Sequence, residues 1–175
     1  MPKLILSLMV CIRYSHMKTL WIARHADAEV NRKDFTRPLS FQGREDARSV
    51  ATAIMPFWTP GTTSFHSTAL RTSETVQLWS SVLGPGFDSR PSDQLYLATG
   101  EDLMKFICSI PAAIHQACIV GHNPGISQFA SQLTGQLISL KPGDAALIQI
   151  ELNDWGEVSS DFGNLQQIFT PSITL

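Results

Sequence analysis

Leu20-Trp21-Ile22-Ala23-Arg24-His25-Ala26-Asp27 is an apolar run that stops abruptly at an arginine and a histidine. A short apolar run bounded by polar residues reads as a buried strand. Its C-terminal end delivers a cation and a nucleophile at one point, on the edge where open α/β sheets place their ligands. By itself an Arg-His pair is common. Its weight comes from three later segments of the chain that appear in a matching order.

The polar stretch from Asp27 to Leu39 is irregular, and Ser40 offers an N-cap for a helix reaching Ile54 or Met55. Ala47, Val50, Ala51 and Ile54 recur at i, i+3, i+4 and i+7, which gives that helix one apolar face. Pro56 and Pro60-Gly61 end it. Thr62 to Ser67 reads as a second strand, followed by a helix from Thr68 to Leu83 that Gly84-Pro85-Gly86 closes. A short strand is expected around Gln94-Leu95-Tyr96, then a helix opening at Gly100 with Leu103, Phe106, Ile107 and Ile110 on one face. Ala117 to Val120 is a further apolar strand ending close to His122, and Pro124-Gly125 starts a helix to about Leu133. Ala145 to Leu152 reads as a strand, with Asn153–Gly156 turning into a last strand near Glu157 to Ser160. Strands alternating with helices predict an α/β fold in three layers. The central sheet is mostly parallel with helices on both faces, and it has an antiparallel C-terminal edge.

Composition bounds the function. At 175 residues and 43% hydrophobic content the chain suits one domain with a substantial core. A net charge of −2 offers no general attraction to nucleic acid or an anionic membrane. Cys11, Cys108 and Cys118 form an odd set without metal-ligand spacing, which suits a reducing cytoplasm. Leu4 to Ile12 is too short to span a bilayer and lacks the cleavage pattern of a signal peptide. Residues 1–16 are therefore expected to be an extension, with the domain covering 17–175.

Reactive residues concentrate where strands end. They are Arg24-His25, Ser67-Thr68-Ala69-Leu70-Arg71-Thr72-Ser73-Glu74-Thr75, and Gly121-His122-Asn123-Pro124. Parallel strands bring such ends to one edge. Two arginines and two histidines without a carboxylate cluster suit a dianion, because arginine keeps its charge and presents planar paired donors to phosphate oxygens. Helix N-termini at Thr68 and Pro124 would add backbone N–H groups.

The order Arg24-His25-Ala26, Arg37-Pro38-Leu39-Ser40 with Gly43, Ser-Thr-x-x-Arg-Thr-x-Glu-Thr and Val-Gly-His-Asn-Pro resembles the histidine phosphatase superfamily. More closely it resembles the short phosphohistidine phosphatases of the SixA type, with their phosphoglycerate mutase-like fold. The likeness runs from about Met17 to Trp155. One departure is Ala26, where the family's Arg-His-Gly motif has glycine.

The resemblance implies that His25 is a nucleophile forming a phosphohistidine intermediate. It implies that Arg24, Arg71 and His122 bind the phosphoryl group, and that no metal or other cofactor is needed. Arg37 is placed either on the phosphate or as a pin for its loop, and Asn31 is a further candidate from that loop. No carboxylate falls clearly into the general-acid position; Asp27 and Glu101 or Asp102 are the candidates. Serine or sugar alkoxides are poor leaving groups that benefit greatly from a strong acid, whereas an imidazole, with a pKa of about 6.5, leaves more readily and needs less help. The expected substrate is thus phosphohistidine on a signalling protein such as a histidine phosphotransfer domain. The alternatives are a small phosphomonoester, or a non-catalytic phosphate-binding module. Ser67-Thr68 and Glu74 are otherwise expected to serve as helix cap and solvated face, and His66 as a structural residue.

Overall fold

The computed structural model describes residues 17–30 and 33–172. The expectations for residues 1–16 and for Asn31 lie outside them. Among the described residues the chain forms β1 (Met17–Arg24), α1 (Phe41–Ile54), β2 (Thr63–Ser67), α2 (Leu70–Leu83), β3 (Asp88–Ser92), α3 (Gly100–Cys108), β4 (Gln116–Gly121), α4 (Gly125–Thr134), β5 (Ala145–Glu151) and β6 (Gly163–Phe169). The strands make one sheet in the order β3-β2-β4-β1-β5-β6. β3, β2, β4 and β1 run parallel, and β5 and β6 add an antiparallel edge. This is the three-layer α/β architecture read from the pattern of elements.

Side-chain alternation along the central strands builds a core on each face. From β1, Leu20 and Ile22 point to one face and Trp21 and Ala23 to the other; from β4, Ala117 and Ile119 oppose Cys118 and Val120. The first face is covered by α3 and α4 through Leu103, Ile107, Phe129 and Leu133. The second is covered by α1 and α2 through Val50, Ile54, Val76 and Trp79. Both faces being buried explains why β1 and β4 read as near-continuous apolar runs.

Two strands differ from expectation. The segment Asp93–Leu95 is a single 3-10 turn, and the strand precedes it as Asp88–Ser92. That strand lies at the sheet edge, where Pro91 is tolerated and polar side chains face solvent, so it carries no apolar period. Near the C-terminus, Trp155–Glu157 is also a 3-10 turn, begun by the Asp154 side chain accepting from the Gly156 N–H at 2.8 Å. The last strand therefore starts only at Gly163 and pairs with β5 from Ile150↔Gly163 onward. The helix expected from Thr68 begins at Leu70, without a side-chain cap.

The loop after β1 is tied to α1 through very close backbone approach. Ser40 caps α1 by accepting from the Gly43 N–H at 3.0 Å, and its own N–H reaches the Asp27 carbonyl at 3.0 Å. A Cβ on Gly43 would overlap that same carbonyl oxygen. Gly43→Ala is therefore expected to cost about 1–3 kcal/mol, as an overpacked core does. Exposed Gln42→Ala should change stability by less than about 0.5 kcal/mol. Urea unfolding of the two variants checks this, and an equal effect would contradict the close approach.

Candidate active site

Three adjacent strands, β2, β4 and β1, end side by side and place Ser67, His122 and His25 on one edge. His25 continues β1 by one residue, its N–H reaching the Gly121 carbonyl at 3.1 Å, while the Gly143 N–H reaches its carbonyl at 3.0 Å. Ala26 follows with its N–H donated to Thr75 Oγ1 at 3.1 Å and its methyl group fully buried among Leu39, Val76 and their neighbours. A methyl group in place of the usual glycine hydrogen is thus accommodated in the core.

Arg71, from the first turn of α2, is the centre of the site and only 2% exposed. Its Nε donates to His25 Nε2 at 3.1 Å and its Nη2 to His122 Nδ1 at 3.1 Å. The two imidazoles lie against each other with ring centroids 5.1 Å apart.

These contacts fix both tautomers. Guanidinium nitrogens only donate, so each ring nitrogen facing Arg71 must be unprotonated. The His25 proton therefore sits on Nδ1, donated to the Ala26 carbonyl at 2.7 Å, and Nε2 carries the lone pair. The His122 proton sits on Nε2 and is donated to Ser67 Oγ at 2.8 Å. Burial, reinforced by Arg71 and Arg24, pushes His25 down to about 4. Burial, then His25 and Arg71, pushes His122 down to about 3. Both rings are neutral at pH 7, and His25 presents an unprotonated Nε2 beside a permanent cation.

The other expected residues take several places. Arg24 donates from Nη1 to the Leu140 carbonyl at 3.1 Å, while its buried Nε has no hydrogen-bond partner. Its charge acts on both His25 and His122. Arg37 pairs with Asp34 at 2.9 Å, which anchors the 3-10 turn Asp34–Thr36. Asp27 is exposed and accepts from the Ser40 hydroxyl at 2.7 Å. Glu101 is exposed in the first turn of α3, where Asp102 completes a capping box with Thr99. Asn123 bonds the Leu140 carbonyl at 2.8 Å, and His66 bonds the Ser67 carbonyl at 2.9 Å and Ser89 Oγ at 3.1 Å. Among the described residues, no group of three or more His, Cys, Asp or Glu is placed to hold a metal ion.

Two expectations are corrected. Ser67 does not cap α2; its hydroxyl accepts from His122 Nε2 at 2.8 Å and from the Ala69 N–H at 3.2 Å, before the helix begins, and Thr68 turns instead to Asp93 at 2.6 Å. Glu74 is no solvated face, since its carboxylate accepts from the Leu39 N–H at 2.7 Å and from Arg44 at 3.2 Å. Two residues that sequence reasoning missed also reach the site. The Asp34 carboxylate accepts from Arg71 Nη2 at 3.1 Å and from the Tyr96 hydroxyl at 2.7 Å, and its backbone carbonyl accepts from Arg71 Nη1. The Tyr96 hydrogen bond, then Arg71, holds Asp34 below the usual carboxylate range. Tyr96 also sets its ring edge-on to His122 and to Phe35.

No known protein-family profile matches the chain. An uncharacterized chloroplastic protein of Arabidopsis thaliana is 31% identical over 153 residues, which cover 80% of this chain and 70% of that one. Among solved structures, a protein assigned as phosphohistidine phosphatase SixA from Nakamurella multipartitia superposes with a TM-score of 0.75 at 23% identity, covering 89% of this chain and 96% of that one. A mycobacterial glucosyl-3-phosphoglycerate phosphatase superposes with a TM-score of 0.63 at 12% identity, covering 89% and 100%. At these identities the structural likeness establishes the fold. Among the described residues no helix is long and apolar enough to cross a membrane.

The depressed histidines make stability depend on pH. An unfolded histidine takes up its proton near 6.5, whereas native His25 and His122 do so only near 4 and 3. The unfolded chain therefore binds more protons between those values, and stability falls as pH drops through that window. Urea unfolding should show a loss between pH 7 and pH 5 of about 2 kcal/mol per ring. The double variant His25→Gln, His122→Gln should lose much less over the same interval. An equal loss in both proteins would mean that the rings are not held neutral.

Proposed function

Because the chain belongs to one family with the Arabidopsis chloroplastic protein and has the phosphoglycerate mutase-like fold of the histidine phosphatases, we propose that it is a metal-independent phosphatase working through phosphorylated His25. The observation that carries this reading is the unprotonated Nε2 of His25, oriented by the Ala26 carbonyl and set 3.1 Å from Arg71. The nucleophile is the His25 Nε2 lone pair, which in this structure accepts from the Arg71 Nε–H; when the phosphoryl oxygens take up the Arg71 donors, that hydrogen bond is released and the lone pair is free to attack phosphorus.

In the first step His25 Nε2 bonds to phosphorus as the bond to the leaving group breaks, and the leaving atom keeps that electron pair. Arg71 and Arg24, whose buried Nε is unpartnered, serve the phosphoryl oxygens. Neutral His122 holds the Arg71 guanidinium from its other side without adding a second cation. Water then attacks phosphorus, releasing phosphate and restoring His25.

The favoured substrate is phosphohistidine on a signalling protein. A nitrogen leaving group suits a site where Asp27 is committed to Ser40 and Asp102 to its helix cap. The free thiols of Cys108 and Cys118 suit a reducing compartment such as the cytoplasm. The second reading is a phosphomonoesterase, favoured by sharing the fold with the mycobacterial glucosyl-3-phosphoglycerate phosphatase.

The experiment is phosphate release from a phosphohistidine-bearing phosphotransfer domain and from phenyl phosphate, with wild type and His25→Ala side by side. Release from the phosphoprotein should exceed release from the ester, and the variant should lose roughly a thousandfold or more. Faster cleavage of the ester would overturn the substrate assignment. Unchanged release by His25→Ala would overturn the nucleophile.

A further inference from the structure

Arg71 is a shared resource. Its Nε is spent on His25, its Nη2 on His122 and the Asp34 carboxylate, and its Nη1 on the Asp34 carbonyl. A phosphoryl group that takes paired donors from the two Nη atoms must displace Asp34 from them. Asp34 does not then drift into water, because its two carboxylate oxygens are also held by Arg37 at 2.9 Å and by the Tyr96 hydroxyl at 2.7 Å. The displaced carboxylate stays at the mouth of the site, 46% exposed, beside a newly bound dianion. Two neighbouring anions repel, and Arg37 offsets only part of the carboxylate's charge, so a substrate gains when it brings a positive or hydrogen-bonding group of its own.

We propose that Asp34 is a specificity-determining residue: it competes with the phosphoryl group for Arg71 and thereby favours substrates whose leaving group brings a positive N–H to the displaced carboxylate. This rests on the phosphatase reading of the site. A phosphoimidazole protonated on its second nitrogen has that N–H and that charge. When His25 Nε2 bonds to phosphorus, the N–P electron pair stays on the leaving nitrogen. The ring departs as neutral imidazole with its second-nitrogen proton already in place, so no separate proton donor is required. A phenyl ester brings no donor, and an ester bearing a further carboxylate adds repulsion. Asp34 is thus a selector at the mouth, and the chemistry it selects for is a cationic nitrogen leaving group.

The test compares wild type with Asp34→Asn, which keeps the shape and removes the charge at a half-exposed position. The first arm is calorimetric binding of tungstate, a tetrahedral dianion that brings no hydrogen-bond donor at neutral pH. The variant should bind it roughly tenfold more tightly. The second arm is kcat/KM for phosphoimidazole against phenyl phosphate at pH 7, where the ratio should fall in the variant by roughly fivefold or more. Equal tungstate affinity in the two proteins, or an unchanged substrate ratio, overturns the proposal. Turnover of neither substrate by either protein would instead sink the phosphatase reading, and the tungstate arm would still decide whether Asp34 competes for Arg71.

Discussion

A guanidinium cannot shed its charge, and Arg71 carries one into a site where it is almost wholly buried. Such a group must be met by acceptors on every side, and those acceptors organise the site. Two of them are imidazole nitrogens, which must stay unprotonated to face it. One is the Asp34 carboxylate, the only formal negative charge that hydrogen-bonds Arg71 among the described residues. The tautomer of His25 and the direction of its lone pair follow from that single buried cation together with the Ala26 carbonyl, while its neutrality follows first from burial and then from Arg71 and Arg24.

The fold supplies the convergence that this arrangement needs. Parallel strands β2, β4 and β1 end in register, so residues far apart in the chain meet without long side chains reaching across solvent. Arg71 arrives from the first turn of α2, whose Thr75 also fixes the backbone of Ala26. The helix that contributes the cation thus also pins the chain directly after His25. Movement of one without the other would cost hydrogen bonds in a buried region, where unpaired groups are expensive.

The same convergence decides which parts were legible in the sequence. Arg24, His25, Arg71 and His122 sit directly after apolar runs or in the following first turn, and parallel topology brings such positions together. β1 and β4 were legible because burial on both faces leaves a continuous apolar signature. β3, with the sequence Asp88-Ser89-Arg90-Pro91-Ser92, has no such signature because it is a solvated edge. Asp34 and Tyr96 lie on irregular segments, one in a 3-10 turn and one just after another. Nothing in their local sequence says that 62 positions of separation close to a 2.7 Å hydrogen bond. Ser67 reads correctly as a strand end, but its sequence also reads as a helix cap, because a strand-end serine before a helix normally caps it. Here its hydroxyl accepts from His122 and from the Ala69 N–H that precedes the helix, so none of the helix's own N–H groups is capped by it.

The central claim is that His25 Nε2 is the atom that takes the phosphoryl group. Its most direct test is rapid quenching of the wild-type protein during turnover of a phosphohistidine substrate into alkali, which preserves phosphohistidine, followed by mass spectrometry and phosphorus NMR. One acid-labile phosphoryl group is expected, on Nε2 of His25. A label on His122, or steady turnover with no covalent phosphoryl group on the protein, would contradict that claim.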